Sequence, residues 1–148
     1  MKIKDAMTSR VQTVSPRDSI RDAAQIMAEA DVGLLPVAES ERLVGMITDR
    51  DIAIRAVCAG KGPDCRVEEV MSRDVKYCFD DQEVDEVSQN MGDIQVRRLP
   101  VVDRDKRLVG IVSLADFAHN GGVQDAGRAL EGITRPGGQH SQTGDTLH

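Results

Sequence analysis

The chain has 148 residues, of which 40% are hydrophobic and only 2% aromatic, and its formal net charge at pH 7 is −6. This length suffices for one compact core, which must be mainly aliphatic because so few aromatic side chains are present. The negative charge disfavours duplex nucleic acid and anionic lipid as partners. No apolar run approaches the length of a membrane span, and the amino-terminal residues form no apolar signal segment. We therefore predict a cytoplasmic protein that binds neither nucleic acid nor membrane.

The chain repeats one pattern twice. Met7 recurs as Met71, the Leu-Pro-Val segment at Leu35 recurs at Leu99, and the Leu-Val-Gly segment at Leu43 recurs at Leu108. The spacing between copies grows by one residue after the Leu-Pro-Val segment, which indicates an insertion in one loop. Two copies of one unit normally pack about a pseudo-twofold axis, and a cleft between them would then be built twice from equivalent residues.

The first repeat predicts a strand, a helix, a hairpin and a second helix. Ser19 is a candidate N-cap before an apolar stripe of helical period, and Thr48 is a second candidate N-cap where a strand ends. The two apolar strands are joined by a short charged loop, which favours a hairpin. In order, the segments are a helical turn at Lys4 to Met7, an extended segment at Val11 to Val14, a helix from Ile20, strands at Leu34 to Ala38 and Leu43 to Ile47, and a helix through Asp51, Ile52, Ile54 and Val57.

The second repeat predicts the same order. Asp80 to Glu83 provides the turn and cap residues before its first helix, and Ser113 takes the place of Thr48. In order, the segments are a helical turn at Val67 to Met71, an extended segment at Val75 to Phe79, a helix from Val84 through Met91, strands at Leu99 to Val102 and Leu108 to Val112, and a helix through Asp116, Phe117 and Ala118.

The predicted fold class is α+β, with two tandem β-α-β-β-α repeats related by a pseudo-twofold axis. We assign residues 1–64 to the first repeat, 65–122 to the second and 123–148 to a C-terminal tail. The tail is rich in Gly, Gln, Ser and Thr after Thr134, so we predict that it is largely disordered, with room for a short helix over Val123 to Glu131.

The motif Gly-x-x-Thr/Ser-x-x-Asp, at Gly45 and again at Gly110, gives the main functional indication. Thr48 and Ser113 place a hydroxyl where a strand ends and a helix begins, beside backbone N–H groups that favour an anion. Asp51 and Asp116 follow three residues later on the same side. A hydroxyl for phosphate and a carboxylate for a ribose diol would form the polar half of a nucleotide site, although each motif is also a plain helix N-terminus.

These motifs together resemble paired CBS domains, the Bateman module, in the form of small stand-alone bacterial proteins. The resemblance covers residues from about Lys4 to His119. It implies adenosine ligands, with AMP, ADP or ATP ahead of NAD and S-adenosylmethionine, and it implies that each ligand lies between the repeats. No cofactor is required and no metal is expected.

The resemblance implies two ligand sites, named here after their hydroxyl residues. The Ser113 site, which we favour, comprises Ser9, Arg10, Gln12, Thr13, Val32, Arg97, Arg98, Pro100, Ser113, Ala115 and Asp116. The Thr48 site comprises Gly33, Leu34, Pro36, Thr48, Arg50, Asp51, Arg73, Lys76, Tyr77 and Val96.

The two sites are not expected to bind equally well. Arg97 and Arg98 offer bidentate bonds to phosphate, and the first repeat has Gly33 and Leu34 in their places. Asp49 adds a second acid to the Thr48 site, where it would oppose a highly charged ligand.

The predicted function is that of a non-catalytic sensor of adenine nucleotides that signals to an unidentified effector protein and forms a homodimer through its amphipathic helices. No nucleophile–base pair or metal cluster with an acid is evident. Two alternatives stay open: a ligand-free dimeric interaction module, and a redox-responsive stress protein that uses Cys58 and Cys65.

Overall fold

The computed structural model describes residues 1–120 and 122–136, and it confirms the α+β class. The chain divides into two compact units. Unit 1 comprises Met1–Arg10, Tyr77–Arg104 and the described residues from Val109 onward. Unit 2 comprises Val11–Lys76 and Asp105–Leu108.

The main helices and strands follow one another in the predicted order, apart from the extended segment at Val11 to Val14, which forms no strand. The helices are α1 (Ile3–Ala6), α2 (Ile20–Ala30), α3 (Asp49–Asp51), α4 (Val84–Ile94), α5 (Leu114–His119) and α6 (Val123–Ile133). The strands are β1 (Leu34–Glu39), β2 (Arg42–Thr48), β3 (Cys78–Phe79), β4 (Arg98–Val102) and β5 (Leu108–Ser113). A π-helix (Ile52–Val57) continues α3, and a 3₁₀ turn covers Val67–Glu69.

Unit 2 is built around the antiparallel hairpin β1–β2, which confirms the predicted pairing. Ser19 caps α2 as predicted, since its hydroxyl oxygen accepts a hydrogen bond from the Asp22 N–H at 3.1 Å. The core is aliphatic. It contains Val14, Ile20, Ala23, Met27, Leu35, Val37, Ile47, Ala56, Val67, Val70 and Met71.

Unit 1 contains a three-stranded sheet in the order β3–β4–β5, with β3 parallel to β4. Helix α4 begins after Glu83 without a side-chain cap, contrary to the predicted capping role of Asp80 to Glu83. Instead the Gln82 side chain accepts a hydrogen bond from the Phe79 N–H at 2.8 Å and so closes the turn before α4. The core contains Ile3, Ala6, Cys78, Val84, Val87, Met91, Leu99, Val101, Val112, Phe117 and Ala129.

The predicted extended segment at Val11 to Val14 is reduced to one bridge, between Val14 and Val37. Val14 is buried, whereas Gln12 and Thr13 are exposed, so this segment has only one side chain that anchors it to the sheet. The corresponding segment of the second repeat is also shorter than predicted, because only Cys78–Phe79 pairs with β4.

The helix after Thr48 differs from prediction in its winding. The Cys58 N–H donates to the Ala53 carbonyl at 3.0 Å, five residues back, as in a π-helix. Ala56 is buried, while Ile54 and Val57 are exposed. Periodicity of apolar residues alone did not distinguish this winding from an α-helix.

The C-terminal tail is partly ordered. Helix α6 extends two residues beyond the short helix that Val123 to Glu131 allowed, and it packs against α4 and α5. Ala129 and Gly132 are buried. The prediction of disorder from residue 137 onward falls outside the described residues.

The compact units do not follow the sequence limits 1–64 and 65–122. Ile3 and Ala6 are buried in the core of unit 1, which otherwise derives from the second repeat. Val67 and Val70 are buried in the core of unit 2. Met1–Arg10 therefore belongs to unit 1 although it lies in the first repeat, and residues 65–76 belong to unit 2 although they lie in the second.

None of the helices within residues 1–120 and 122–136 combines the length and apolar character that crossing a bilayer requires.

Candidate ligand-binding sites

Ser113 and Asp116 form a reciprocal pair at the start of α5. The Ser113 hydroxyl oxygen accepts from the Asp116 N–H at 3.3 Å, and Asp116 Oδ2 accepts from the Ser113 N–H at 2.9 Å. The predicted N-cap is therefore confirmed, and the aspartate has a structural role of its own. A carboxylate has about four acceptor positions, so this bond leaves Asp116 able to accept from a ligand hydroxyl.

Thr48 and Asp51 repeat this geometry in unit 2. The two bonds measure 3.0 Å, from the Asp51 N–H to Thr48 Oγ1, and 2.9 Å, from the Thr48 N–H to Asp51 Oδ2. One difference is that Arg55 Nε lies 3.7 Å from Asp51 Oδ1. This ion pair competes for the oxygen that the capping arrangement leaves free.

The segment after α1 runs beside β5 in unit 1. Thr8 and Ile111 exchange two backbone hydrogen bonds, of 2.9 and 3.0 Å, so Thr8 and the adjoining Ser9 lie close to this strand. Gly110 permits this approach, because a Cβ at that position would lie 2.6 Å from the Met7 sulfur and 2.8 Å from the Thr8 carbonyl oxygen.

The same arrangement recurs in unit 2. Met46 and Ser72 exchange backbone bonds of 3.0 and 2.8 Å, so Ser72 and the adjoining Arg73 lie close to β2. A Cβ at Gly45 would lie 2.7 Å from the Met71 sulfur. The predicted close approach at the two glycines is thus made by the methionine segment of the same unit, and Met71 is a core residue.

Arg97 and Arg98 lie at the start of β4. The Arg97 carbonyl accepts from the Leu114 N–H at 3.2 Å, which brings Arg97 to the beginning of α5 beside Ser113. Both arginines are exposed. Within residues 1–120 and 122–136, neither guanidinium forms an ion pair or a hydrogen bond with another side chain.

Most predicted members of each site fall within one unit. Unit 1 holds Ser9, Arg10, Arg97, Arg98, Pro100, Ser113, Ala115 and Asp116 of the Ser113 site, and unit 2 holds its Gln12, Thr13 and Val32. Unit 2 holds Gly33, Leu34, Pro36, Thr48, Arg50, Asp51, Arg73 and Lys76 of the Thr48 site, and unit 1 holds its Tyr77 and Val96.

One contact at the Thr48 site was not evident from the sequence. A Cβ on Gly33 would lie only 3.0 Å from Asp49 Oδ2, so the Asp49 carboxylate lies directly beside this glycine. The Asp49 N–H also donates to the Gly33 carbonyl at 2.9 Å. The sequence marked Asp49 as an extra acid, but only the folded backbone shows which residue it adjoins.

The cysteines give little support to the redox alternative. Cys58, Cys65 and Cys78 are all free thiols. Burial, and then the nearby Glu69, raise the pKa of Cys65, which lowers its thiolate fraction at neutral pH. Burial, with a smaller effect of Asp80, raises the pKa of Cys78 to about 12.

The described part of the chain contains no group of three or more His, Cys, Asp or Glu residues arranged to hold a metal ion. A cavity of about 450 Å³ lies in unit 1 between the starts of α4 and α6, lined by Val84, Asp85, Phe117 and Asp125 among others. It includes no residue of either predicted site.

Known proteins provide an independent comparison. The chain is 44% identical over 133 residues to the CBS domain-containing protein YhcV of Bacillus subtilis (strain 168), covering 89% of this chain and 94% of that protein. The crystal structure of Hypoxic Response Protein I with two coordinated zinc ions has a TM-score of 0.73 and 37% identity, covering 80% of this chain and 98% of the other.

Two further solved structures contain adenosine compounds. The CBS domain pair of protein MJ0100, in complex with 5′-methylthioadenosine and S-adenosyl-L-methionine, has a TM-score of 0.71 and 32% identity over 84% of this chain and 98% of the other. CBSX2 in complex with AMP has a TM-score of 0.71 and 26% identity over 83% of this chain and 96% of the other.

The CBS domain model matches the chain twice, over residues 3–57 and 67–121. These limits bracket both capping arrangements and both methionine segments. The chain therefore belongs to the CBS-domain family, as a tandem CBS pair.

Proposed function

We propose that this protein is a non-catalytic sensor that binds adenine nucleotides of the AMP, ADP or ATP type, with the Ser113 site as the site of higher affinity. The observation that supports this most directly is the placement of Arg97 beside the Ser113–Asp116 pair, with Arg98 next in sequence. The presence of AMP in one similar CBS structure agrees with this ligand class.

Each side chain has a distinct role in the proposed recognition. Asp116 accepts hydrogen bonds from the vicinal hydroxyls of the ribose with its remaining acceptor capacity. Arg97 and Arg98 bind phosphate oxygens through charge-assisted bonds, for which the planar guanidinium is well suited. The Ser113 hydroxyl accepts from the Asp116 N–H and can donate its own proton to a phosphate oxygen.

Ligand binding would regulate by shifting a conformational equilibrium. Such a shift is limited by the difference in the ligand's affinity for the two states. We further propose that the protein is a cytoplasmic homodimer that passes the shift to an effector protein.

Calorimetric titration with AMP, ADP, ATP, NAD and S-adenosylmethionine tests the ligand class. We expect Asp116→Ala to weaken AMP at the high-affinity site by one decade or more, because about 1.5–3 kcal/mol is typical for a hydrogen bond to a charged group. The matched control is Asp51→Ala, which removes the equivalent carboxylate from unit 2 and should affect this site little. If Asp51→Ala abolishes the high-affinity phase while Asp116→Ala leaves it intact, the ranking of the sites is wrong.

The alternative is an interaction module whose sites stay empty. One observation favours it: both aspartates already serve their own helix starts, at 2.9 Å from the Thr48 and Ser113 N–H groups. Under this alternative, Asp116→Ala lowers the thermal stability, and no adenine ligand gives measurable heat with the unmodified protein.

A further inference from the structure

We propose that Asp49 makes the Thr48 site select adenosine derivatives whose 5′ group is neutral or positively charged, whereas the Ser113 site takes 5′-phosphates. This inference rests on the proposed function and deepens it, because it assigns a different ligand class to each site. It follows from a comparison of equivalent positions in the two units.

The backbone establishes which positions are equivalent. In unit 1 the Leu114 N–H donates to the Arg97 carbonyl at 3.2 Å, and in unit 2 the Asp49 N–H donates to the Gly33 carbonyl at 2.9 Å. In each unit, this bond joins the residue after the N-cap to the residue immediately before the first hairpin strand. Asp49 therefore corresponds to Leu114, and Gly33 to Arg97.

The side chains at these positions have opposite character. In the Ser113 site these two positions hold the Arg97 guanidinium and the aliphatic side chain of Leu114. The Thr48 site has no side chain at Gly33, and the Asp49 carboxylate occupies the adjoining space, with Oδ2 3.0 Å from where a Cβ would be. Asp49 Oδ1 accepts from the Arg50 N–H at 2.8 Å, which holds the carboxylate in its orientation.

The Asp49 charge is not neutralised within its surroundings. No Lys or Arg among the residues that the structure describes lies within 4.0 Å of its oxygens. Of the basic residues near this end of unit 2, Arg55 pairs with Asp51 at 3.7 Å and Lys76 with Asp74 at 3.9 Å. Arg50 and Arg73 remain as cations for the Thr48 site.

A phosphate monoester carries close to two negative charges at neutral pH. At the Ser113 site it would meet Arg97 and Arg98, but at the Thr48 site it would meet the Asp49 carboxylate, which lies beside Gly33, the counterpart of Arg97. Like charges at short range oppose binding, while a hydroxyl or a cationic group can bond to the same carboxylate. The charge difference between the sites thus sorts adenosine ligands by their 5′ substituent.

The test measures AMP and 5′-methylthioadenosine by calorimetry in an Asp116→Ala protein, in which the Ser113 site is weakened so that the Thr48 site contributes most of the binding. We expect this site to bind 5′-methylthioadenosine more tightly than AMP. Adding Asp49→Asn should raise AMP affinity by about tenfold and change 5′-methylthioadenosine by less than about twofold. Asparagine keeps the oxygen that accepts from the Arg50 N–H and removes only the charge.

The reciprocal variant moves the acid to the other unit. In an Asp51→Ala protein, Leu114→Asp should weaken AMP at the Ser113 site by about tenfold more than it weakens 5′-methylthioadenosine. Leu114→Asn is the matched control, since it has the same shape as the aspartate without its charge. A far-ultraviolet circular dichroism melt of each variant verifies that it is folded.

The outcomes separate this inference from the proposed function. If the unmodified protein binds both ligands but neither Asp49→Asn nor Leu114→Asp changes their affinity ratio, the assignment of ligand classes is wrong and the sensor proposal stands. Failure of the folded Asp116→Ala protein to bind 5′-methylthioadenosine also overturns the inference. If the unmodified protein binds no adenosine compound, both proposals fall.

Discussion

An arginine is available to a ligand when the fold gives it no partner of its own. Arg104 is held by Asp81 through bonds of 2.7 and 2.8 Å and stacks over the Phe79 ring at 4.1 Å. Arg97 and Arg98 have no comparable partner in the described part of the chain. Residue type alone does not distinguish these two kinds of arginine, but their surroundings do.

We expect Arg98→Ala to weaken AMP by one to two decades, because a lost charge-assisted bond costs about 1.5–3 kcal/mol. Adenosine has no phosphate, so its affinity should change by less than about twofold. Calorimetry with both ligands provides the comparison. Arg104→Ala is the control, since it removes an arginine of the same unit that is already bound to Asp81; an equal effect of both variants on AMP would contradict the phosphate role.

The buried thiol of Cys78 makes stability depend on pH. Its pKa is raised to about 12 in the folded protein, mainly by burial, from 9.0 for a free thiol. Between these values the unfolded chain releases the proton and the folded protein keeps it. The contribution to stability is therefore complete below pH 9 and is lost as the pH rises toward 12.

Denaturant unfolding at pH 8 and pH 10 tests this dependence. Between pH 8 and pH 10 the unfolding free energy should fall by about 1.4 kcal/mol more in the unmodified protein than in Cys78→Ala, because only the unfolded chain loses the thiol proton in this range and one pKa unit corresponds to about 1.36 kcal/mol. The comparison with the variant cancels the other groups that titrate in this range. Equal slopes in both proteins would show that the thiol ionises alike in the folded and unfolded chain.

At the scale of elements, α6 is attached to α4 by a close backbone approach and by one side chain. Gly132 and Gly92 face each other so closely that a Cβ on Gly132 would lie 2.7 Å from the Gly92 carbonyl oxygen. Gln95 ends α4 in the left-handed conformation, with φ of 59°, and its side-chain amide donates to the carbonyls of Gly132 and Arg135 at 3.1 Å each.

Two glycine variants of α6 should have opposite effects. Gly132→Ala should lower the free energy of unfolding by about 1–3 kcal/mol, because backbone atoms must move to admit the methyl group. Gly127→Ala should raise it by up to about 1 kcal/mol, since a Cβ there would meet no atom within 4 Å and alanine favours the helix. Denaturant unfolding of both variants checks this. Equal effects would mean that α6 does not pack as closely as described.

Local chemistry made the first hairpin and three of the helix starts predictable, although not the start of α4. Ser19, Thr48 and Ser113 accept backbone bonds as expected of N-caps, and the β1–β2 pairing follows from two apolar runs around a short charged loop. Three other features depend on tertiary packing and were not predictable: the π-helix after Asp51, the place of Asp49 beside Gly33, and the docking of α6 through Gln95.

At the scale of the whole molecule, each compact unit depends on a segment outside its own sequence repeat. Val67, Val70 and Met71 complete the core of unit 2 although they follow the predicted boundary at residue 64. In unit 1, Ile3 has no exposed surface, and its N–H donates to the Gln82 carbonyl at 2.9 Å. Cuts made at the sequence boundary would remove core residues from both units.

Two fragments of similar length test this division. The fragment 11–76 retains the buried side chains of unit 2. The fragment 1–64 lacks Val67, Val70 and Met71, and it includes Ile3 and Ala6 without the rest of the unit 1 core that buries them. We expect the fragment 11–76 to unfold at higher temperature and more cooperatively, since each missing large aliphatic side chain costs about 2–5 kcal/mol. Circular dichroism melts of both provide the measurement, and indistinguishable melts would contradict this division.

The division of the chain into two compact units also affects the order in which its parts fold during translation. The ribosome releases the chain from its amino terminus, and the side chains that bury Ile3 and Ala6 come mostly after residue 77. Unit 2 has nearly all of its residues once position 76 has been translated, so it can fold before the remaining residues of unit 1, which pack against Met1–Arg10, have been made. Met1–Arg10 is then translated before unit 2 but reaches its final place after it, when the rest of unit 1 has been made.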